Sequence, residues 1–350
     1  MRRAIIALCV LAAVLECAAG DQRRNMLMAR HRAAAGTDVG FRVTFLTGTT
    51  PTNIVLHASY TGPATAAAAL YDAGDGVWRA YTANTISNVT GYVAFKGNWL
   101  NAAGGYQGMF YSTFASAAYT CKFSGALETT PTDFSSCYRD IFRACTAVTA
   151  IEDNPLPILT GTPAGSMFLS ACLNMSGITG SLPAGFMDTS GLTGTPAASM
   201  FAYACYNMYG VTGSLPTGFL DTSGLTGAPA ESMFRLACYN MYGVTALPTG
   251  FMDTSGLTGA PAEHAFRYAC YFMSGVTNAY TFNMSSNITF DSTNVVTLTA
   301  GFANMPKWGG QVMWGTNVLV EAIPIPSADI NTFAGSTNMP NYSTINANWK

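Results

Sequence analysis

Three aspartates, Asp188, Asp221 and Asp253, recur in the sequence Asp-Thr-Ser-Gly at intervals of 33 and 32 residues. Such a series is a candidate calcium site, because calcium is coordinated by carboxylate and carbonyl oxygens. If equivalent positions stack at roughly 5 Å, the charges repel one another unless hydrogen bonds or a metal ion compensate them. The alternative is a turn in which each carboxylate accepts hydrogen bonds from its own backbone. We favour the turn and leave calcium binding by the three aspartates open.

Other residue types that commonly carry catalysis form no recognisable constellation. Asp-Thr-Ser-Gly resembles the Asp-Thr-Gly of aspartic proteases, but the extra Ser breaks that motif. The histidines are His31, His57 and His264, and none has a partner at metal-ligand spacing. The sequence has no phosphate-binding loop or dinucleotide fingerprint. We therefore predict no catalytic residue, no metal site, no cofactor and no enzymatic activity.

Cysteines mark the positions of a repeat. The marker residues are Cys172, Cys205, Cys238 and Cys270, at intervals of 33, 33 and 32 residues. With three cysteines upstream, an odd number remains after an N-terminal leader, so full pairing within one exported chain is impossible. Free cysteine packs as a small hydrophobe. The pattern therefore favours buried, mostly reduced thiols over a disulfide framework.

The repeat itself occupies residues 159 to about 277 in four good copies. In the third copy, Met233, Phe234, Ala237, Cys238 and Met241 are predicted to share one face of a helix, and a short strand is expected just after it. Repeats of this length are typical of solenoids, in which each unit buries its apolar face against its neighbours. One helix and one strand per unit predict an α/β repeat, a leucine-rich-repeat solenoid with the shape of a horseshoe. The predicted core residues are Phe168, Cys172, Phe201, Cys205, Phe234, Cys238, Phe266 and Cys270.

Tyrosines occupy equivalent positions and are candidates for ligand binding. Tyr209 and Tyr242 precede the predicted strands, and Ser176 and Ser274 take the same position in the flanking copies. Tyr offers a large contact area and a hydroxyl group at low entropic cost. The alternative is that the tyrosines pack between copies as structural ladders. We take Tyr209, Tyr242, Ser176 and Ser274 as the candidate ligand-binding column.

The spacing of apolar residues within the copies resembles a known family. Phe precedes Cys by three or four residues, Met or Val and then Val or Ile follow, and Leu-Pro closes the pattern. These features are similar to the BspA-like, treponemal-type leucine-rich repeats of bacterial surface proteins. The matching pairs are Phe142/Cys145, Phe168/Cys172, Phe201/Cys205, Phe234/Cys238 and Phe266/Cys270. The resemblance implies an exported or cell-surface protein that binds other macromolecules, with adhesion as the usual role.

The order of segments along the chain agrees with export. Residues 1–19 are predicted to be a secretory signal peptide, since Arg2 and Arg3 precede a short apolar run and a small-residue cleavage site. A basic linker follows over 20–40. Alternating and β-branched residues predict a small β-rich domain or cap over 41–105. The leucine-rich-repeat solenoid then covers 106–350 with degenerate end units. No later apolar run reaches the ~20 residues that span a bilayer, so no integral membrane segment is expected after signal removal.

The composition restricts the class of partner. Charged residues make up 10 % of the 350 residues and the net charge is −2, against ~25 % charged residues in ordinary domains. Nucleic acid is not an expected partner, because its binding requires many basic residues. We predict a secreted or cell-surface protein that binds an extracellular protein or glycan. The alternative is a structural subunit that self-assembles, as a homo-oligomer or polymer, into a surface layer or extracellular filament. Since the tyrosine column holds no Lys or Arg, its binding is expected to depend weakly on salt.

Overall fold

The protein consists mainly of strands and loops and contains very little helix. The computed structural model describes residues 40–291, 294–326 and 329–350. About 22 % of the described residues are in strand and 5 % are helical. Residues 40–350 form one compact unit. The predicted signal peptide, and the basic linker up to residue 39, lie outside the described residues.

The strands are β1 (Phe41–Gly48), β2 (Asn53–Val55), β3 (Ala69–Asp72), β4 (Arg79–Ala80), β5 (Thr85–Ser87), β6 (Tyr92–Gly97), β7 (Tyr119–Ser124), β8 (Val148–Ile151), β9 (Thr212–Ser214), β10 (Gly243–Ala246), β11 (Thr281–Met284), β12 (Gln311–Trp314) and β13 (Asn317–Val318). A single short α-helix among the described residues is α1 (Leu319–Ala322). The 3₁₀ helices are Ala66–Ala68, Asn294–Leu298 and Ala347–Trp349.

The largest sheet has six strands in the order β4-β3-β6-β1-β7-β8. All neighbours are antiparallel except β7 and β8, which are parallel. Phe41 of β1 lies in the core, with ring centroids 5.2 Å from Phe110 and 5.0 Å from Phe123. Because β7 lies beyond residue 105, this sheet crosses the predicted boundary between the β-rich region and the repeats.

Three smaller sheets complete the strand pairing. β2 pairs with β5 in antiparallel fashion. β9 and β10, which belong to successive copies of the repeat, are parallel. β11 and β12 are also parallel, and β13 returns antiparallel to β12. In the β9 and β10 pair Val244 lies opposite Gly213, two residues beyond its sequence equivalent Val211, so neighbouring copies are staggered there while lying at the ~4.8 Å spacing of adjacent strands.

The prediction of a leucine-rich-repeat solenoid with one helix per copy is wrong. The described residues form several small sheets, and the segment predicted to be helical in the third copy consists of turns. Within it Ser232, Leu236 and Asn240 have φ values of +53°, +55° and +64°. This left-handed conformation is incompatible with a right-handed helix, so the helical face that we predicted does not form.

A period of four residues explains the error. Met233-Phe234, Ala237-Cys238 and Met241 are buried, and over so short a stretch this spacing is also compatible with a period of 3.6. The N–H of Arg235 donates to the Ser232 carbonyl at 3.2 Å, which closes a β-turn. The N–H of Phe234, by contrast, donates to the Ala265 carbonyl of the next copy at 2.8 Å. Successive residues thus alternate between turns within a copy and hydrogen bonds between copies.

We call these segments the turn ribbons. In the four good copies they cover residues 165–176, 198–209, 230–242 and 263–274. Inward, they present a column of stacked rings from Phe168, Phe201, Phe234 and Phe266, with centroids 5.6, 5.6 and 5.7 Å apart. All eight of the predicted core residues are buried. The apolar pattern in the sequence therefore marks the inward side of a ribbon rather than of a helix.

Similar stacked turns extend the array on both sides of the four copies. The N–H of Phe142 donates to the Ala171 carbonyl at 2.8 Å, and that of Phe302 donates to the Thr332 carbonyl at 2.9 Å. Beyond these turns, the N–H of His57 donates to the Met109 carbonyl. At the other end, the N–H of Phe333 donates to the carbonyl of Trp349, whose side chain is fully buried. The outermost turns thus pack against the segments that hold His57 and Trp349.

Candidate functional site: the outer face of the turn ribbons

The outward positions of the ribbons carry stacked tyrosines. The rings of Tyr206 and Tyr239 are 4.8 Å apart, with an angle of 12° between their planes. Tyr239 and Tyr271 follow at 5.2 Å and 11°. Because the copies are hydrogen-bonded in register, the same position in each ribbon falls into one column. Burial and the neighbouring phenols raise the pKa of Tyr239, so its hydroxyl stays a hydrogen-bond donor at neutral pH.

The predicted ligand-binding column lies at the edge of this surface. Tyr209 and Tyr242 are stacked 6.2 Å apart and each is 42 % exposed. Ser176 and Ser274 hold the equivalent positions in the flanking ribbons and are half-buried. The structure therefore aligns the four residues as one column, with the exposed rings at its centre.

Three further aromatic residues, which the sequence analysis did not select, adjoin the two columns, and one of them, Phe272, connects the columns to each other. Phe272 lies 6.3 Å from Tyr239 and 6.1 Å from Tyr242. Tyr203 contacts Tyr206 at 5.8 Å, and Tyr268 contacts Tyr271 at 5.4 Å. We call the connected rings the aromatic face; they are Tyr203, Tyr206, Tyr209, Tyr239, Tyr242, Tyr268, Tyr271 and Phe272. Tyr203 and Tyr268 each lie two residues before a marker Cys, and this repetition was a signal in the sequence. The helix that we predicted there would have separated these tyrosines from the column.

Two arginines flank the aromatic face. The guanidinium of Arg235 lies 5.7 Å from the ring centroid of Tyr203, and that of Arg267 lies 5.3 Å from the ring centroid of Tyr268. Both are cation–π contacts, which are favourable but do not neutralise the charge. Among the described residues, neither arginine has a carboxylate within ion-pair distance. The face is thus more basic than the neutral tyrosine column alone indicates.

Side-chain amides link the ribbons beside the tyrosines. The Asn207 amide donates to the Asn174 oxygen at 2.9 Å, and the Asn240 amide donates to the Asn207 oxygen at 2.8 Å. In the next ribbon Phe272 stands in place of Asn. The Oδ1 of Asn240 is consequently buried without a hydrogen-bond partner among the described residues. This amide ladder holds the aromatic face in register over three copies.

The Asp-Thr-Ser-Gly segments lie outside the ribbons, and their side chains form hydrogen bonds with backbone groups. The carboxylate of Asp221 accepts hydrogen bonds from the N–H and hydroxyl of Ser223, at 3.0 and 2.7 Å. Thr222 is fully buried, and its hydroxyl donates to the Asp253 carbonyl of the next copy at 2.7 Å. Asp188 repeats both contacts with Ser190, and Asp253 accepts from the N–H of Ser255. The motif thus forms a turn and a link between copies.

Nothing in the described ranges assembles a metal centre, since no three His, Cys, Asp or Glu side chains converge there. His57 and Ser59 come closest to a catalytic pair, with Nδ1 and Oγ at 2.7 Å. They are neighbours in one turn, and no contact within the described ranges joins a carboxylate to this His. A hollow beside Asp188, lined also by Phe168 and Met187, has room for roughly one water molecule.

The seven cysteines in the described part of the chain are free and buried. Burial raises the pKa of each thiol, and that of Cys145 reaches about 12. Cys205 lies 3.4 Å from the sulfur of Met187. Because the thiolate is the reactive species, these thiols are suited to packing rather than to nucleophilic chemistry.

Comparisons with protein-family models, curated proteins and solved structures gave no match to this chain. The similarity to BspA-like repeats therefore stays a prediction. None of the helices in the described ranges has the length and apolar content needed to cross a bilayer.

Proposed function

We propose that this is an exported or cell-surface binding protein, without catalytic activity, that attaches to an extracellular macromolecule through the aromatic face. The observation that carries the proposal is the exposed, stacked pair Tyr209 and Tyr242, continuous with the rings around it. Exposed aromatic clusters mark interaction surfaces, because they bury much apolar area while their hydroxyls keep hydrogen-bonding capacity.

The alternative function, self-assembly by end-to-end stacking of copies, receives less support. Such stacking requires open apolar ends on the array. Phe333, however, packs against Trp349 at 6.1 Å, and the C-terminal residues donate and accept hydrogen bonds there. The aromatic face runs along the side of the array instead. A lateral contact with a partner therefore fits the positions of these residues better than a polymer built from the ends.

Replacing Tyr209 and Tyr242 together with Ala tests the proposal. Adherence to a panel of immobilised matrix proteins and glycans should fall at least about tenfold, as expected when two central aromatic contacts of ~1 kcal/mol or more each are lost. Circular dichroism should show an unchanged fold, because both rings are well exposed.

The matched control replaces two exposed residues outside the ribbons, Thr193 and Thr226, with Ala. This control should adhere like the natural protein. A folded tyrosine variant that adheres normally contradicts the proposal, and filaments or sheets of the purified protein in electron micrographs favour the self-assembling subunit.

A further inference from the structure

Cations are concentrated on one side of the repeats. Between Lys122 and Lys307 the sequence contains four Lys or Arg residues, and each of them directly follows a buried aromatic residue. They are Arg139, Arg143, Arg235 and Arg267. Arg139 and Arg143 share the carboxylate of Asp140, at 3.4 and 3.0 Å. The pair nearest the aromatic face, Arg235 and Arg267, has no such compensation within the described ranges.

The unpaired arginines belong to adjacent ribbons and are hydrogen-bonded through the backbone. The N–H of Leu236, next to Arg235, donates to the carbonyl of Arg267 at 2.9 Å. The backbones of the two arginines are thereby held one layer apart. The Nε–H of Arg235, like that of Arg139, is buried without a hydrogen-bond partner among the described residues, so the terminal N–H groups are the donors open to a ligand. An anion bound beside both guanidinium groups would reduce the repulsion between them and accept hydrogen bonds from these terminal N–H groups.

We infer that Arg235 and Arg267, with the tyrosines around them, form a binding site for an acidic glycan that carries sulfate or carboxylate groups. The inference deepens the proposed function, on which it rests for the use of this face. A guanidinium group presents a planar fork of donors that matches sulfate and carboxylate oxygens. The phenol hydroxyls of Tyr203 and Tyr268 offer donors and acceptors to sugar hydroxyls.

A glycan fits this surface better than an acidic peptide. Peptides commonly dock by adding a strand to a sheet edge or by filling apolar pockets. Most ribbon N–H groups already donate within or between copies, so they offer no continuous strand edge to a peptide. The tyrosine rings stack on each other at 4.8 and 5.2 Å, which closes the space that an aromatic cage around a side chain requires.

The inference changes one expectation from the sequence. The tyrosine column contains no Lys or Arg, and on that ground binding was expected to depend weakly on salt. With Arg235 and Arg267 on the same face, binding of an acidic glycan should weaken as salt is added, since exposed charges are screened.

The test measures binding of the purified protein to dextran sulfate, to uncharged dextran and to poly-L-glutamate. We expect dextran sulfate to bind most tightly, and added salt to weaken that binding. The double variant Arg235→Gln/Arg267→Gln should bind dextran sulfate at least about tenfold more weakly, the effect of losing one or more charge-assisted hydrogen bonds. The matched control is Arg139→Gln/Arg143→Gln, which removes the same charge from the pair compensated by Asp140 and should retain binding.

Equal losses in the two variants would overturn the inference by showing a general charge effect, and so would poly-L-glutamate that binds as tightly as dextran sulfate. If the arginine variant does not fold, phenylglyoxal modification of the natural protein replaces it. Dextran sulfate, but not dextran, should then slow modification of Arg235 and Arg267, and unchanged rates would overturn the site. The outcome of this test is independent of the adherence test with the Tyr209→Ala/Tyr242→Ala variant, because binding of dextran sulfate at the two arginines requires neither tyrosine. Failure of the proposed function and failure of the arginine site can therefore be distinguished.

Discussion

Asn174, Asn207 and Asn240 show how single residues fix the ribbon geometry. Their φ values are +61°, +62° and +64°, a region that Asn enters more readily than most residues. Phe272 adopts the same conformation at +61° without the compensating side-chain hydrogen bond. It therefore interrupts the amide ladder and leaves the Oδ1 of Asn240 unsatisfied, which is unfavourable for a buried acceptor.

Replacing Phe272 with Asn should extend the ladder by one copy. The new amide can donate to Asn240 Oδ1, and Asn tolerates the left-handed backbone. Because Phe272 also contacts Tyr242, the proper reference is Phe272→Ala, which loses the same ring. We expect Phe272→Asn to exceed Phe272→Ala in free energy of unfolding by about 1–2 kcal/mol, measured by urea denaturation. Equal stability of the two variants would mean that the ladder contributes nothing at this position.

Turns between the ribbons show how one copy constrains the next. Gly250 of the Pro-Thr-Gly turn has a φ of +83°, and a Cβ there would lie 2.2 Å from Oδ2 of Asp221 in the preceding copy. Gly213 of β9 has nearly the same φ, +80°, but open space around its missing Cβ. Both glycines thus require a positive φ, but only at Gly250 would a side chain clash with the neighbouring copy.

Comparing Gly250→Ala with Gly213→Ala isolates that contact. Each substitution places Ala in the left-handed region, at about 1–2 kcal/mol. Gly250→Ala adds a clash with a carboxylate that is held by two hydrogen bonds from Ser223, and overpacking of this kind costs about 1–3 kcal/mol. Thermal unfolding should show the larger loss for Gly250→Ala. A loss as large for Gly213→Ala would mean that the Asp221 carboxylate moves aside freely.

The elements also show what the sequence can and cannot predict. Residues Met233, Phe234, Cys238 and Met241 were expected on the inward face, and they are buried. Their helical conformation was wrong, since periods of 3.6 and 4 residues nearly coincide over nine positions. The positive φ of Leu236 has no local signal, because Leu disfavours it and only hydrogen bonds to the next copy maintain it. The contact between Arg235 and Tyr203 was likewise not predictable without the register of neighbouring copies.

At the scale of the whole molecule, the array provides a continuous aromatic face along its side, with covered ends. The aromatic face draws on three successive copies, so no single copy contains the whole site. The adhesive role is a proposal that depends on this face being the one that meets a partner. A test that blocks the face, without removing its rings, addresses that dependence.

The buried thiols make such a test possible. Burial raises the thiol pKa of every cysteine in the described ranges above its ordinary value. A cysteine introduced at a solvent-accessible position should therefore react selectively with a maleimide. Ser274→Cys places the thiol at a half-buried position in the same column as Tyr242, at the edge of the aromatic face. Thr249→Cys places it on the exposed Pro-Thr-Gly turn, outside the ribbons.

The most direct measurement is adherence of these two variants after each is coupled to a bulky polyethylene glycol maleimide. The polymer at position 274 should abolish adherence to the matrix proteins or glycans that the natural protein binds, because it shields Tyr242 and its neighbours. The polymer at position 249 should leave adherence unchanged. Full adherence of the protein labelled at 274, or loss confined to the protein labelled at 249, would contradict the aromatic face as the binding surface.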